Sequence, residues 1–587
     1  MSNPSSRPSA RYVVGAAALL FAAGAVVAPQ ALAQGQAQGQ AKSQGQATAQ
    51  AQSQPASLPQ TRTMVWAARI GTTVTLIAEV DGLGGGAPSG TVTFTDGTTV
   101  LGTAPLRRIG TSRATLVKGP GFTCVVTTDK GVKCWGKNDK GQLGNGTTTD
   151  SATPVDVKAG STGTALLTGV VSISPGGGHV CAVLETGGLK CWGKNSQGQL
   201  GDGSTTDRST PVDVRSSSTV TTALTGVASV TAGREHTCAL MFASTSKTTA
   251  GAKCWGNSLD GTLGDGAEVK TDRRTPMNKT SPVDVVSLDP GVVEVVSGSG
   301  PTLTTSHTCA LTVLGQVQCW GSNIEGQLGN NEKATQGGLI GSSKPVNVDG
   351  ARCDIAGCRP VPRLGQVISI ALGGLHSCAV TDTGGVKCWG SNTELRGIDN
   401  LVIGVTGTLS NRLPVTFPAD VIRGDARQDG APFEVRDYLV AVASGGVHTC
   451  ALTARGNVRC WGDNRKGQVG NGQILTPTST VRGGSANPVG VTAPATAVRE
   501  GAFALADIAA VAVNATTSCA LTSAGAVTCW GDGATSAATM ANVTGMVRSR
   551  AVLTVTLAAG DRSVKASYSG SRAHAASTDT ETIKVSQ

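Results

Sequence analysis

The 587-residue sequence predicts an all-β protein, and three observations carry that reading. Glycine is abundant at 80 residues, roughly twice its usual ~7% share, as many tight turns between short strands would require. Apolar and polar residues alternate in short runs bounded by Gly, Asn, Asp and Pro, the period of a half-buried strand. A signature containing cysteine and tryptophan recurs seven times through the middle of the chain, which points to one supersecondary unit repeated. With 39% hydrophobic and 15% charged residues, wholesale disorder is excluded. Sixteen cysteines in so long a chain support a core and do not replace one. The net charge of +10 is spread without a basic run, so a nucleic-acid partner is not expected.

Residues 1–33 read as an export signal. Arg7 and Arg11 precede an apolar run from Val13 to Val27, and Ala31-Leu32-Ala33 offers a small-x-small cleavage site. The run is short for a membrane span and no second one follows, so no transmembrane anchor is expected after cleavage. The first cysteine, Cys124, is too distant for lipoprotein attachment. Residues 34–60 are mostly Gln, Ala, Gly and Ser. They lack the large side chains that would offset the entropy of ordering and are expected to form a disordered linker.

The repeat has the form G-x-H-x-C-A-L, a short turn, V-x-C-W-G-x-N and then G-Q-L-G, with its clearest copy from Gly446 to Gly472. Its cysteine pairs are Cys124 and Cys134, Cys181 and Cys191, Cys238 and Cys254, Cys309 and Cys319, Cys378 and Cys388, Cys450 and Cys460, and Cys519 and Cys529. Successive first cysteines lie 57, 57, 71, 69, 72 and 69 residues apart, a period longer than one hairpin. In the second copy Val171-Ser172-Ile173-Ser174 alternates, Cys181 to Leu184 follows a Gly turn, Leu189 to Trp192 follows Gly187-Gly188, and Pro211 to Val214 closes. Each unit therefore reads as four short antiparallel strands. One such sheet cannot bury both faces, whereas seven arranged radially can. The expected architecture over residues 111–546 is a seven-bladed β-propeller. These residues resemble the regulator of chromosome condensation repeat family, whose blades carry the same C-A-L, C-W-G-x-N and G-Q-L-G landmarks. Departures are local: Phe122 stands where other copies have His, Leu395-Arg396-Gly397 replaces G-Q-L-G in the fifth copy, and the seventh has Thr517 at the His position and no G-Q-L-G.

The repeated residues carry their own expectations. Cys450 and Cys460 are centred on Arg455, so a tight hairpin opposes them at a Cα separation of roughly 4.5–5.5 Å, within disulfide range. Oxidation after export is expected, with buried reduced thiols as the alternative. Cys353 and Cys358 form an eighth pair closing a small loop; one pair cannot fill a tetrahedral metal site, so no metal is expected. Trp135, Trp192, Trp255, Trp320, Trp389, Trp461 and Trp530 recur once per unit and are expected to fill the space between neighbouring sheets. Asn138, Asn195, Asn323, Asn392 and Asn464 suit a positive-φ turn or a local side-chain cap. His179, His236, His307, His376 and His448 are expected to hydrogen-bond within their own blades and not to form a metal or proton-relay ring. The sequence holds no H-E-x-x-H, G-x-S-x-G or Walker-type loop, so neither an enzyme nor a cofactor is expected.

The flanks read as a second β unit. Val74, Leu76, Ala78 and Val80 alternate in residues 61–110, followed by Thr91-Val92-Thr93-Phe94 and an Asp96-Gly97 turn. In residues 547–587, Ala551 to Leu557 and Ser563 to Tyr568 alternate again, and Thr582 to Val585 forms a last strand. Gly90 to Gly97, Val100-Leu101-Gly102, Leu557 to Gly560 and Val564 to Gly570 resemble bacterial immunoglobulin-like repeats in the correct order. The resemblance implies an Ig-like sandwich split by the propeller insertion.

The expected function is an exported, non-enzymatic binding or adhesion protein in the cell envelope or outside it, with a protein partner and polysaccharide as the second choice. Family resemblance alone implies guanine-nucleotide exchange and chromatin roles, which the export signal argues against. A secreted propeller that inhibits β-lactamases is an analogue in blade number and compartment. The rival class is an envelope polysaccharide-active enzyme, which would need clustered acids at a central channel. Loops enlarge at Met241 to Ala252, Ala267 to Lys279, Glu332 to Ser343, Ala351 to Pro362, Asn392 to Arg412 and Gly424 to Pro432. Alternate connections in antiparallel sheets leave on opposite faces, so the sequence singles out neither face for binding.

Overall fold

A computed structural model describes residues 61–70, 73–83, 88–108, 115–243, 246–267, 278–298, 306–332, 341–354, 357–361, 363–391, 415–422, 439–470, 484–490, 508–532, 546–571 and 575–585. The expected export signal and the Gln-rich linker lie outside them, as does Asn392.

Seven antiparallel sheets follow one another along the chain. Sheet 1 contains Leu116–Gly119, Phe122–Val126, Val132–Gly136 and Ser151–Asp156. Sheet 2 contains Val170–Pro175, His179–Leu184, Leu189–Gly193 and Arg208–Asp213. Sheets 3 to 6 repeat this order, beginning at Val227–Ala232, Val292–Ser297, Val367–Leu372 and Leu439–Ser444. Sheet 7 has three described strands, Ile508–Val513, Thr517–Thr522 and Val527–Gly531. First strands lie against the first strands of neighbouring sheets. Sheet 7 packs on sheet 1 through Ala510, Leu521 and Val527 against Leu116, Val125 and Trp135, which closes the ring into a β-propeller.

Strand alternation gives this ring two unlike sides. First-to-second and third-to-fourth connections leave on one side, here the upper. Second-to-third turns and sheet-to-sheet connections leave on the lower.

The flanking strands are β1 (Thr61–Ile70), β2 (Thr73–Leu83), β3 (Thr91–Asp96), β4 (Thr99–Pro105) and β5 (Arg107–Arg108). Met546–Thr556 pairs with β2 and β5, extending the sheet begun by β1 and β2. Gly560–Tyr568 and Ser577–Val585 join β3 and β4 in a second sheet. Val65, Leu76, Phe94, Ala551, Val564 and Tyr568 contribute to the core between the two sheets. The sequence identifies Val74, Leu76, Ala78 and Val80 as the buried face of β2. The opposite face is buried as well, because Thr75, Ile77 and Glu79 are covered and Ile77 packs with Val293, Val317, Val367 and Ile370 of sheets 4 and 5. Val293 and Val367 lie near the starts of first strands and Val317 starts a third strand, so this contact falls on the lower side.

One enlarged loop joins the same contact. The strands His236–Ala243 and Ser246–Gly256 prolong the sheet 3 hairpin on the lower side, with register irregularities around Phe242. The returning strand pairs in parallel with β1 at Ala67 and Thr248. The sequence reading took this lengthening as a variable loop; its backbone instead joins the flanking sheet.

All seven blade cysteine pairs are disulfides, with Cα separations of 4.0–4.1 Å. Directly opposed register brings each pair together, as at Cys181 and Cys191. Cys353 and Cys358 are opposed along the backbone of a separate hairpin. In the loop-entropy account, a bridge closing about ten residues contributes about 2.5–3 kcal/mol. Seven such bridges point to an oxidising compartment. No helix among the described residues is long and apolar enough to cross a membrane.

Alkylation of the unfolded, unreduced protein is expected to add no mass, and reduction before alkylation should label all sixteen cysteines. Labelling without reductant at any blade pair would contradict the bridges.

Candidate functional site

The most ordered polar chemistry in the ring lies between its sheets, and strand alternation places it there. His179, Cys181 and Val183 point to one face of sheet 2, while Val180 and Ala182 point to the other. In the next strand Cys191 lies opposite Cys181 and Trp192 opposite Val180. One face therefore carries histidine and the disulfide, and the other carries tryptophan. Each histidine face meets the tryptophan face of the following sheet, so Cys181, Leu189, Cys191 and Leu200 share a core with Ala239 and Trp255.

The polar groups at this junction form a short relay. Thr237 donates its hydroxyl hydrogen to Gln199 O at 2.8 Å, leaving its oxygen to accept from His179 Nε2 at 2.9 Å. This assigns the Nε2–H tautomer to His179. Trp255 Nε1 donates to the same Gln199 carbonyl at 3.0 Å. Imidazole-to-hydroxyl contacts of 2.7–3.0 Å recur from His236 to Thr308, His307 to Ser377, His376 to Thr449 and His448 to Ser518. The five histidines thus bind the following sheet, correcting the expectation that each bonds within its own blade. The hydroxyl partner sits immediately after the histidine position in the next copy, a signal present in the sequence but read there only within one repeat.

Two glycines, Gly176 just before the signature and Gly201 at its end, are required by this packing. A Cβ on Gly176 would lie 2.2 Å from His179 Cε1, and one on Gly201, where φ is +70°, would lie 2.7 Å from Trp255 Nε1. Asn138 acts as the local cap its sequence position allowed. It accepts from Leu143 N at 2.9 Å and donates to the carbonyls of Thr147 and Thr149 at 3.0 Å. Asn195 and Asn464 accept the equivalent backbone bonds from Leu200 and Val469, and Asn323 accepts one from Leu328.

The departures from the repeat fall where the relay changes. Phe122 replaces histidine in sheet 1, and the next sheet presents Val180 instead of a hydroxyl; the two share one apolar core. Thr517 replaces histidine in sheet 7, and Lys118 Nζ donates to Thr123 Oγ1 of sheet 1 at 3.1 Å. Burial lowers the Lys118 pKa to about 8. Trp135 and Trp461 lack a partner for Nε1 among the described residues. Their preceding sheets are the seventh and the fifth, the two copies in which no G-x-L/V-G turn follows C-W-G.

All five imidazoles are buried. Burial is the largest cause lowering their pKa values to about 3 for His179, His307 and His376 and about 4 for His236 and His448. Among the described residues no group of three or more His, Cys, Asp or Glu is placed to hold a metal ion.

This architecture has relatives. Models of the Regulator of chromosome condensation (RCC1) repeat match residues 119–142, 170–199, 305–327, 367–394 and 439–468, and also 132–183 and 187–240. The chain carries this repeat. It is 28% identical over 351 residues to the ultraviolet-B receptor UVR8 of Arabidopsis thaliana, covering 59% of this chain and 63% of the receptor. It is 26% identical over 379 residues to the human E3 ubiquitin-protein ligase HERC2, covering 64% of this chain and 6% of the ligase. The chain thus spans less than two thirds of either relative. Similar solved structures include human WBSCR16, with a TM-score of 0.47 at 17% identity, covering 84% of this chain and 98% of that one. Yeast RCC1 (Prp20) bound to Kap60 has a TM-score of 0.48 at 18% identity, covering 77% and 91%.

Two outcomes are expected from the relay. Thr237→Val should destabilise the protein by about 1–3 kcal/mol by leaving a buried imidazole N–H unpaired. His179→Phe with Thr237→Val, copying the residue types at Phe122 and Val180, should recover most of that loss in urea unfolding. Five histidines neutral in the fold but titrating near 6.5 when unfolded make the unfolded chain bind more protons. Their stabilisation is complete above pH 6.5 and falls towards pH 4 by at most about 2 kcal/mol each at pH 5. Glu294, raised to about 7 by burial, opposes one of them. Unfolding near pH 5 should therefore take up about four protons net from these six groups, to be read from the pH dependence of the unfolding free energy.

Proposed function

We propose that this chain is an exported, non-enzymatic binding protein, a seven-bladed propeller inserted into an immunoglobulin-like sandwich and acting through its upper side. The observation carrying the scaffold reading is the internal use of the repeated chemistry. The histidines and the hydroxyls they bond to are buried between sheets, so recognition falls to groups that differ from blade to blade. A protein partner fits a broad rim of loops better than a small-molecule site does. Guanine-nucleotide exchange and enzyme inhibition have no further observation in their favour.

The side is chosen by occupancy. The flanking sheets approach the lower ends of sheets 4 and 5, and the sheet 3 hairpin extends to them. The upper turns present Lys137 and Asp139 in sheet 1 and Lys466 and Asp532 between sheets 6 and 7, with these side chains about half exposed. Lys140 reaches Asp207 of sheet 2 at 3.7 Å. This rim has charges of both signs.

Capture experiments with the immobilised full-length protein and solubilised cell envelope test the reading. Charge reversal at Lys137, Lys140 and Lys466 together is expected to weaken capture of a specific protein at least tenfold, while Lys130→Glu on the lower side leaves it unchanged. Retention of polysaccharide without protein, or the opposite pattern of sensitivity, would overturn it.

A further inference from the structure

The ring has an uneven circumference. Every described disulfide lies inside one sheet, so none crosses a junction. The five junctions from sheet 2 to sheet 7 carry the imidazole-to-hydroxyl bond. At the junction of sheets 7 and 1, Thr517 replaces histidine and Trp135 Nε1 lacks a partner among the described residues. Asn514 Nδ2 donates across this junction to Gly119 O at 2.9 Å, whereas the Lys118 ammonium bonds Thr123 within sheet 1.

The chain enters and leaves the ring at this same junction. β5 precedes sheet 1, and Met546–Thr556 follows sheet 7. These segments pair with each other, Arg107 opposite Arg550 and Arg108 opposite Ser549. Met546–Thr556 is also paired along its length with β2. The incoming and outgoing strands are therefore joined by a ladder outside the ring.

That ladder is seated on the ring and braced from within. Ile77 enters the apolar core of sheets 4 and 5. Arg550 donates through Nη2 and Nε to Glu79 Oε1 at 2.7 and 3.2 Å, with 11% and 1% of the respective side chains exposed. Glu294 lies on the first strand of sheet 4, where corresponding strands have Ser172, Ser229, Ser369, Ala441 and Ala510. Burial raises the pKa of its carboxyl, with smaller opposing effects of Arg550 and Glu79. Arg550 and Glu79, opposite each other on adjacent strands of the flanking sheet, thus tie the outgoing strand to β2.

We propose that the flanking two-sheet unit is a clasp that holds the propeller closed at the junction of sheets 7 and 1. It acts by pairing the entry and exit strands, braced by Arg550 on Glu79, while gripping the opposite arc through Ile77. This role stands independently of the partner reading.

Hydrogen exchange of the full-length, disulfide-intact protein tests it. Arg550→Lys retains the charge but loses the planar fork, and Ile77→Ala removes the apolar anchor. Each is expected to speed exchange at least tenfold in residues 116–126 and 508–522 while residues 170–193 and 439–463 keep their rates. Leu200→Ala, at the junction of sheets 2 and 3, should accelerate exchange there and spare sheets 7 and 1. Acceleration confined to the flanking strands and sheets 4 and 5 would overturn the clasp, as would uniform acceleration of all seven sheets. If Ile77→Ala does not fold, Arg550→Lys decides between these outcomes.

Discussion

The structure depends on each sheet having two unlike faces. A strand turns successive side chains to opposite sides, so the spacing of His179, Cys181 and Val183 commits one face to imidazole and disulfide. Register then commits the other face to Trp192 and its neighbours. Stacking brings unlike faces together, and the carbonyl of Gln199 receives both Thr237 and Trp255. A buried hydroxyl, imidazole or indole N–H without a partner is unfavourable. At this junction the same geometry that buries apolar area also supplies hydrogen bonds to those groups.

Covalent and noncovalent forces consequently divide the work. Disulfides stiffen individual sheets, whereas the closed ring depends on contacts between sheets. Histidine suits those contacts while neutral, because the folded environment penalises its charge and the hydroxyl oxygen accepts its single N–H. Placing neutral imidazoles there also makes the ring's stability sensitive to acid. Where histidine is absent, the chemistry changes: Phe122 shares an apolar core with Val180, and Thr123, the hydroxyl at the position that a sheet 7 histidine would bond, is instead bonded by Lys118 of its own sheet.

The same division bears on function. Residues repeated from blade to blade maintain the scaffold, and the differing turns remain for recognition. Enlargement of a loop is an ambiguous sign, since the backbone of the long sheet 3 hairpin pairs with β1. Its length alone could mean either a partner-facing loop or a strand used inside the molecule.

Much of the fold was legible from one chain because its information is local and repeated. Alternation marked the strands, turn residues marked their limits, and seven opposed cysteine pairs established their register. Tryptophan packing and the asparagine cap followed from the same local pattern. The histidine partners were missed because the bond from His179 reaches Thr237, 58 residues away, across a boundary that reading each repeat by itself cannot cross. The β2 alternation likewise revealed the core face but not the burial of Ile77 and Glu79. By itself, the sequence determined the repeating strands, their cysteine pairing and the residue types available at each face. Only the tertiary structure decided which sheets exchange hydrogen bonds and which side of the ring the flanking sheets occupy, because those outcomes depend on distances between segments remote in sequence.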